Sequence, residues 1–506
     1  MIEQADGSKL PPSAPFMVHS IQITGNTVFD TPTLLALVDD AQGKTLTLPQ
    51  LGQLATRITA YYQNHGYPLA RAFIPAQIIT LGVVRIEIIE ARYGKISLDN
   101  SSPINAELLQ ATISPLQSGQ AIAQTELDHA LLLLSDVAGV AISATLKPGE
   151  AVGTSDLLIN AVPDSSISGN VVLDGYGNRY TGRERIGGTL KVNNPLHHGD
   201  VLSLSALSSG SGMDYGRVAY EFLLNGQGTR LGSAWSMLHY ALGGPLTSLS
   251  AHGTAQVASL WVKHPLMRSR DANIYAQLQY DSLQLRDHID VGALKTDRNL
   301  QSWTLSLSGD RRDTVLSGGV SSWSVGWTPG QVNFNDAAAQ TADAATARTQ
   351  GNFSKWNTSA ARLQNLNSTN MLYLGFSAQW ANTNLDSSQK MSVGGPYTVR
   401  AYDTGAASGD RGYLVSAELR HDLGNALGGQ WMAVAFVDSA NITVNKNTWT
   451  GEKNSAKLSG AGIGLNWSSA HQWSAKAYIA TPIGALPALV GSTDSMRVWV
   501  ALSRQF

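Results

Sequence analysis

The chain contains no cysteine and carries little charge. Charged residues make up 14% of its 506 positions, and 35 Lys and Arg against 37 Asp and Glu give a formal net charge of -2. Soluble domains average roughly 25% charged residues. The missing thiols exclude disulfides and thiolate metal sites, and the balanced charge gives no argument for a nucleic-acid partner. No apolar run reaches the ~20 residues that a membrane helix requires, so a membrane could be crossed only by strands.

Motifs of catalysis are also missing from the sequence. We find no Gly-x-Ser-x-Gly, no Walker loop and no His-Glu-x-x-His. Gly460, Gly462 and Gly464 lie within a predicted strand rather than at the start of a helix, so small wall residues explain them better than a nucleotide site. His197 and His198 lie in a short predicted turn. The sequence therefore predicts no enzyme, no metal and no cofactor.

What the chain does contain, from about residue 166 to its end, is alternation of apolar with small or polar residues. Segments 302–308 and 371–377 show this period of two, which gives a strand one apolar face. Repeated without helical segments between, the pattern predicts one antiparallel sheet that closes on itself. We predict sixteen strands, at 168–178, 183–195, 200–210, 215–225, 228–242, 251–266, 270–289, 300–312, 314–330, 353–366, 368–381, 411–423, 431–445, 457–470, 472–484 and 495–506.

Tryptophan placement and connection lengths favour a barrel in a bacterial outer membrane. All 12 tryptophans lie between Trp235 and Trp499, and this side chain favours the membrane–water interface. Connections after even-numbered strands are mostly short, down to the single Asp313, whereas 331–352 and 382–410 after odd-numbered strands are long. An even strand count with this asymmetry is typical of outer-membrane barrels. Sixteen strands also leave a watery lumen.

The first third of the chain predicts two small α/β units of soluble character. In 16–92, a strand precedes a helix that opens at Thr31-Pro32, a second helix has an apolar stripe, and two strands follow. In 93–163, a helical stripe precedes two strands. The stripes consist of Leu51, Leu54, Ala55, Ile58, Tyr61 and Tyr62 in the first unit, and of Leu127, Ala130, Leu131, Leu134 and Val137 in the second.

The longest connection, 382–410, contains Val399, Arg400, Ala401 and Tyr402. Here the chain resembles the two-partner secretion transporter (TpsB) family of outer-membrane barrels, which carries Val-Arg-Gly-Tyr at the tip of an inward-folded sixth extracellular loop. Ala401 stands where that family has glycine, which matters if the position requires a positive φ.

The resemblance also implies a partner for Arg400 on the inner wall. In the family, the loop arginine pairs with the aspartate of a Phe-x-Asp-x-Gly motif, and this chain matches it with Phe436 and Asp438, while Ala440 replaces the glycine. A period of two places Phe436 and Asp438 on one face of the thirteenth predicted strand. Arginine can bind a carboxylate with two parallel N–H groups. We expect the pair to be partly screened by lumen water and therefore modest in strength.

The resemblance extends over nearly the whole chain. Residues 16–92 and 93–163 look like two polypeptide-transport-associated (POTRA) domains, and 166–506 like the barrel. The final strand ends in Phe506, similar to the C-terminal signal by which outer-membrane barrels are recognised for insertion. Family members commonly have a plug helix before the first POTRA domain. Only residues 1–15 precede it here, so we expect an N-terminal tail with the plug helix absent or truncated.

The resemblance implies a mainly β protein that is not an enzyme: a 16-stranded transmembrane barrel in the bacterial outer membrane, with two periplasmic POTRA domains. Its expected function is two-partner (type Vb) secretion of a large exoprotein: an adhesin, a haemolysin or a contact-dependent growth inhibition toxin. Its implied partners are that TpsA-type exoprotein through the POTRA domains, outer-membrane lipid, and the barrel assembly machinery during biogenesis. We expect a monomer. An outer-membrane protein assembly insertase is the alternative; a diffusion porin and a soluble β-rich binding protein fit less well.

Overall fold

The computed structural model describes residues 13–491 and 494–506. Its contacts divide the chain into two compact units, which meet in sequence between Asp164 and Ser165 and are described separately. Of the predicted N-terminal tail, residues 1–12 lie outside the described residues. Across the described ranges, no helix is both long enough and apolar enough to span a membrane.

The first half of the N-terminal unit packs two helices on a small sheet. Strands β2 and β5 are parallel and β4 pairs antiparallel with β5, while β1 and β3 form a separate two-stranded sheet. The elements are β1 (Phe16–Val18), β2 (Ser20–Thr24), α1 (Thr31–Ala36), β3 (Lys44–Leu46), α2 (Leu48–Asn64), β4 (Arg71–Phe73) and β5 (Val83–Ile89).

Helix α2 shows how the sequence builds this core. Thr47 and Gln50 form a capping box, and Pro49 occupies the first turn, where a missing N–H costs nothing. The predicted apolar stripe faces the core of this half. Its buried side chains are Leu51, Leu54, Ala55, Ile58 and Tyr62.

The second half of the unit repeats the plan, with β6 parallel to β8 and β7 antiparallel to β8. The predicted stripe forms a helix, although it ends at Ser135, before Val137. The elements are β6 (Arg92–Asn100), α3 (Ala106–Ile113), α4 (Gln124–Ser135), β7 (Val140–Pro148) and β8 (Thr154–Pro163).

A buried carboxylate lies where the two halves join. Glu90 is 6% exposed and accepts hydrogen bonds from the backbone N–H groups of Thr27 (2.7 Å) and Val28 (2.8 Å) and from the Tyr62 hydroxyl (2.8 Å). Arg92 forms an ion pair with it at 3.1 Å. Burial opposes ionisation of Glu90, but the hydrogen bonds outweigh it and lower the pKa of the carboxyl below its usual value.

The C-terminal unit is a closed barrel of sixteen antiparallel strands, as the alternation predicts. Each strand pairs with its chain neighbour, and the last strand pairs with the first. The strands are β9 (Ile167–Asp174), β10 (Arg185–Asn193), β11 (Val201–Ser208), β12 (Met213–Leu223), β13 (Arg230–Ala241), β14 (Ala251–Arg268), β15 (Ala272–Ile289), β16 (Leu294–Asp313), β17 (Gly319–Phe334), β18 (Gly351–Asn365), β19 (Asn370–Ala381), β22 (Arg411–Ala426), β23 (Gly429–Thr443), β24 (Ser455–Ser469), β25 (Trp473–Pro482) and β26 (Arg497–Gln505).

Several local expectations for the barrel are wrong, among them the start of β16, which lies at Leu294 rather than 300. Strand β9 ends at Asp174 rather than 178, because the Asp174 carboxylate accepts the Tyr176 N–H and turns the chain. The turn after β16 spans five residues, 314–318, instead of the single Asp313. The long connection 331–352 contains a helix, α5 (Ala337–Ala345), whose first turn is capped by the Asp336 side chain.

The two faces of the barrel wall differ as a membrane requires. Outward positions carry exposed apolar side chains, such as Leu305 (53%) and Ile463 (65%). Hydroxyl groups facing the interior bond one another across neighbouring strands, in the pairs Thr189–Ser205 (3.0 Å), Thr304–Thr328 (3.0 Å), Ser324–Ser359 (2.7 Å) and Ser474–Ser503 (2.7 Å). Small polar groups therefore line these parts of the interior.

Candidate functional site

The connection 382–410, here called loop 6, folds into the barrel. It joins β19 to β22 and contains a two-stranded ribbon, β20 (Met391–Val393) and β21 (Ala407–Gly409). Gly394 and Gly395 adopt φ values of 97° and 108°, so the chain turns sharply where side chains would be strained. The four residues of the tip motif that follow are almost fully buried, at 0% for Val399, 4% for Arg400, 0% for Ala401 and 1% for Tyr402.

The structure brings Arg400 against Asp438. Two guanidinium nitrogens, Nε and Nη2, donate to the two carboxylate oxygens, each at 2.8 Å, and the Arg400 backbone N–H adds a third bond at 3.2 Å. This is the fork geometry in which arginine binds a carboxylate most specifically.

Strand register supplies the rest of this site. Ser416 on β22 lies opposite Asp438, and Glu418 lies opposite Phe436. Glu418 accepts a bond from Arg400 Nη1 at 2.7 Å, and the Ser416 hydroxyl donates to Asp438 at 2.7 Å. The Arg400 guanidinium also lies 3.4 Å from the centroid of the Phe436 ring, a cation–π contact.

Burial of this ion pair differs from expectation. Asp438 is 0% exposed and Arg400 is 4% exposed. The pair is therefore more buried than the expected partial screening by lumen water implied. Removing one member of a buried pair leaves the other charge uncompensated and costs about 3–5 kcal/mol. Loss of either partner alone should therefore destabilise the folded loop.

Ala401 and Ala440, which replace family glycines, fit without strain. Ala401 does not adopt a positive φ. Its methyl group packs against Gly460 on β24, where an added Cβ would overlap it. Ala440 is fully buried in the same apolar cluster. The space that the Ala401 methyl group needs is thus provided by Gly460 on β24.

A second anchor, which the sequence did not predict, holds the root of the loop. Arg298 on β16 binds Asp386 through its Nε and Asp287 through Nη1 at 2.6 Å. Asp386 and Arg298 are 5% and 6% exposed. Nearby, Lys390 in the loop lies 3.1 Å from Asp410, which is fully buried. Loop 6 is therefore tied by buried charges at its root as well as at its tip.

The remaining predicted residues lie elsewhere. Phe506 exchanges two backbone hydrogen bonds with Gly169, at 2.9 and 3.0 Å, and so helps to join the last strand to the first. His197 and His198 belong to a turn held by Asp200, which accepts the His198 N–H at 3.1 Å. Among the described residues, no group of three His, Asp or Glu side chains is placed to hold a metal ion.

An interior cavity of about 750 Å³ adjoins the loop tip within the barrel. Its lining is polar and aromatic and carries both signs of charge. It includes Arg400, Glu418, Arg420, Lys476, Tyr373 and Tyr478. The arrangement places hydrogen-bonding and charged groups beside the tip of loop 6.

Comparison with known proteins gives consistent matches. The family model described as haemolysin secretion/activation protein ShlB/FhaC/HecB matches residues 153–467, and the model for the ShlB-type POTRA domain matches residues 16–91. The heme/hemopexin transporter protein HuxB of Haemophilus influenzae (strain 86-028NP) is 29% identical over 486 residues, covering 94% of this chain and 84% of that protein.

CdiB of Escherichia coli matches this chain in the comparison of sequences and in the comparison of structures. The outer membrane transporter CdiB of Escherichia coli is 23% identical over 467 residues, covering 90% of this chain and 77% of that protein. A solved structure of CdiB from Escherichia coli matches with a TM-score of 0.76 at 22% identity, covering 100% of this chain and 93% of that chain. This likeness shows a shared fold.

Proposed function

This chain belongs to the ShlB/FhaC/HecB family of haemolysin secretion/activation proteins, and from that membership we propose that it exports one large partner exoprotein through its barrel. It is an outer-membrane transporter of the two-partner secretion type, with POTRA domains in the periplasm. The cargo class we propose is an adhesin, a haemolysin or a contact-dependent growth inhibition toxin. Catalytic activity has no part in this proposal.

The observation that carries the proposal is a buried, charge-locked loop inside a barrel with a polar interior. A passive pore needs no such lock, whereas a conduit for a protein needs a closed state that its cargo can open. Release of the tip of loop 6 requires that the bonds of Arg400 to Asp438 and Glu418 break. Folding of the cargo outside the cell would then draw the chain outward without ATP, which the periplasm does not supply.

Capture of the cargo would fall to the N-terminal unit. In its second sheet the strand order is β6-β8-β7, so β7 has one edge without a described strand partner. An extended segment of the exoprotein could pair along that edge by main-chain hydrogen bonds. We further propose that the transporter works as a monomer and that the barrel assembly machinery inserts it through the strand that ends in Phe506.

Deletion of residues 16–92 tests this division of roles. We expect the neighbouring gene to encode a very large exported β-repeat protein, which serves as the cargo in the assay. Deletion should abolish its appearance in the medium, while the barrel remains folded, as shown by its heat-modifiable mobility in electrophoresis. Deletion of the exposed helix 337–345 serves as the control. Normal export without residues 16–92 would contradict the proposal.

The insertase alternative has less support, because HuxB and CdiB, which match at least 90% of the chain in sequence, are transporters by name. Removal of the protein itself distinguishes the two. Loss of a secretion transporter should leave other outer-membrane barrels at normal abundance, whereas loss of an insertase should lower their abundance.

A further inference from the structure

The junction between the first and last barrel strands is only partly closed by strand pairing. Strand β26 pairs with β9 from Ala501 to Gln505. The Phe506–Gly169 bonds extend this pairing at one end, and at the other end the Gly175 N–H donates to the Val500 carbonyl at 3.0 Å. Beyond that point β9 has ended, so residues 497–499 face no described strand on this edge. An unpaired edge in a membrane wall is costly unless something covers it.

Loop 6 covers it from inside the barrel. The Trp499 indole, 1% exposed, donates to the Arg400 carbonyl at 2.7 Å. On the other side of the junction, Thr404 donates to the Tyr176 carbonyl at 2.9 Å and accepts from the Asn178 amide at 2.7 Å. The loop therefore bonds to the last strand and also to the segment that follows the first.

Charge strengthens the same contact. Asp403 lies 2.6 Å from Arg497 on β26 and 3.2 Å from Arg183, in the connection between β9 and β10. The side chains of Arg497 and Asp403 are 3% and 16% exposed. One carboxylate of the loop thus bridges arginines from both sides of the junction.

We propose that Asp403 and Trp499 form a latch by which loop 6 holds the extracellular half of the barrel seam closed. Only two residues separate Asp403 from Arg400, which binds Asp438 on β23 and Glu418 on β22. Withdrawal of the loop tip would therefore release both walls together. Loosening of the seam then accompanies opening of the lumen and gives the barrel room to widen around its cargo. This inference goes beyond the proposed secretion function, because it concerns how the wall closes and needs no cargo.

Spin-label distances across the seam test the latch. The chain has no cysteine, so Ile186→Cys on β10 and Ile479→Cys on β25 give two unique, outward-facing labels that flank β26 and β9. A matched pair, Leu305→Cys on β16 and Phe376→Cys on β19, spans the same number of strands away from the seam. The measurement uses the full chain in lipid nanodiscs, without cargo.

In this experiment Asp403→Asn should add a population at longer distance across the seam, by about one strand spacing or more (~4.8 Å). The distance between the labels on β16 and β19 should stay unchanged. Asp403→Glu, which keeps the carboxylate, should remain near the native distribution, and Asp310→Asn on β16 serves as the control for loss of a carboxylate elsewhere.

An unchanged seam distance in inserted Asp403→Asn would overturn the latch, and so would equal broadening of both label pairs. If Asp403→Asn fails to insert, Trp499→Phe carries the same test, because it removes the N–H that binds the Arg400 carbonyl and keeps an aromatic ring at this position. Secretion is not measured, so failure of the latch leaves the secretion proposal standing, and the reverse also holds.

Discussion

Single side chains decide whether the tip of loop 6 fits the wall. Ala401 occupies a position where the family has glycine, and it is tolerated because Gly460 on β24 leaves room for its methyl group. The sequence showed the replacement but not the compensation, since 401 and 460 are brought together only when the barrel closes. By contrast, the period of two along β23 was enough to predict that Phe436 and Asp438 share one face of the strand.

Gly460→Ala should displace the loop tip. The added Cβ would overlap the Ala401 methyl group, and overpacking of this kind costs typically 1–3 kcal/mol. We expect lower thermal stability and more frequent openings in planar-bilayer recordings. The double variant Gly460→Ala with Ala401→Gly restores the total volume and should recover native behaviour; failure to recover would contradict this packing explanation.

Glu90 makes the stability of the N-terminal unit sensitive to acid. Hydrogen bonds lower the pKa of its carboxyl below the unfolded value of about 4.3. Its stabilisation is therefore fully present above that value and is lost as the pH falls through the folded pKa. The unfolding temperature, followed by the helical circular dichroism signal, should fall more steeply with acid in the native protein than in Glu90→Gln.

That variant should itself be less stable near neutral pH, by about 2–3 kcal/mol, because hydrogen bonds to a buried charge are lost. Glu150→Gln, in an exposed turn, is the control and should match the native protein at every pH. Equal acid sensitivity of Glu90→Gln and the native chain would disprove the role of Glu90.

Among the strands and loops, regular alternation was predictable and long-range contact was not. Strands β9 to β19 and β22 to β26 follow the predicted order, because each satisfies a period of two between turn residues. Trp499 carries a signal that sequence reasoning missed: Val498 and Val500 point outward, 55% and 54% exposed, so the indole between them must face inward. Arg298 and Asp386 carry no such signal, since nothing in alternation shows which interior charges meet.

Arg298→Gln should release the root of loop 6. Asp386 would remain buried without its cation, at a cost of about 3–5 kcal/mol, and the loop should become more accessible. Cleavage by proteinase K within 382–410, in the intact protein in lipid, measures this. Arg311→Gln, an exposed arginine on the same strand, is the control, and protection equal to the native protein in Arg298→Gln would refute the second anchor.

The molecule as a whole combines an α/β unit with a buried apolar core and a barrel whose apolar side chains face outward. The closed ring of strands and its exposed apolar exterior followed from composition and period alone. The separation of the two units at Asp164 and Ser165 agrees with the change in pattern near residue 166. The division of the N-terminal unit into domains over 16–92 and 93–163 stays a prediction.

A fragment covering residues 165–506 should refold only with amphiphile. In detergent we expect a β-type circular dichroism spectrum and heat-modifiable mobility, because the outward apolar side chains need a nonpolar environment. Dilution below the critical micelle concentration should precipitate it. A fragment that stays monomeric and soluble in buffer alone would contradict the membrane assignment.

The hydroxyl pairs along the inner wall bear on how easily a polypeptide slides. A serine or threonine that is already bonded to its neighbour across the sheet has less hydrogen-bonding capacity left for a passing peptide group. Its short side chain also offers little apolar surface for contact. Along the stretches that such pairs line, a polypeptide would meet few groups that bind it. Binding would be concentrated at the tyrosines and charged side chains beside the tip of loop 6, so passage of this point, together with refolding outside, would set the speed of export.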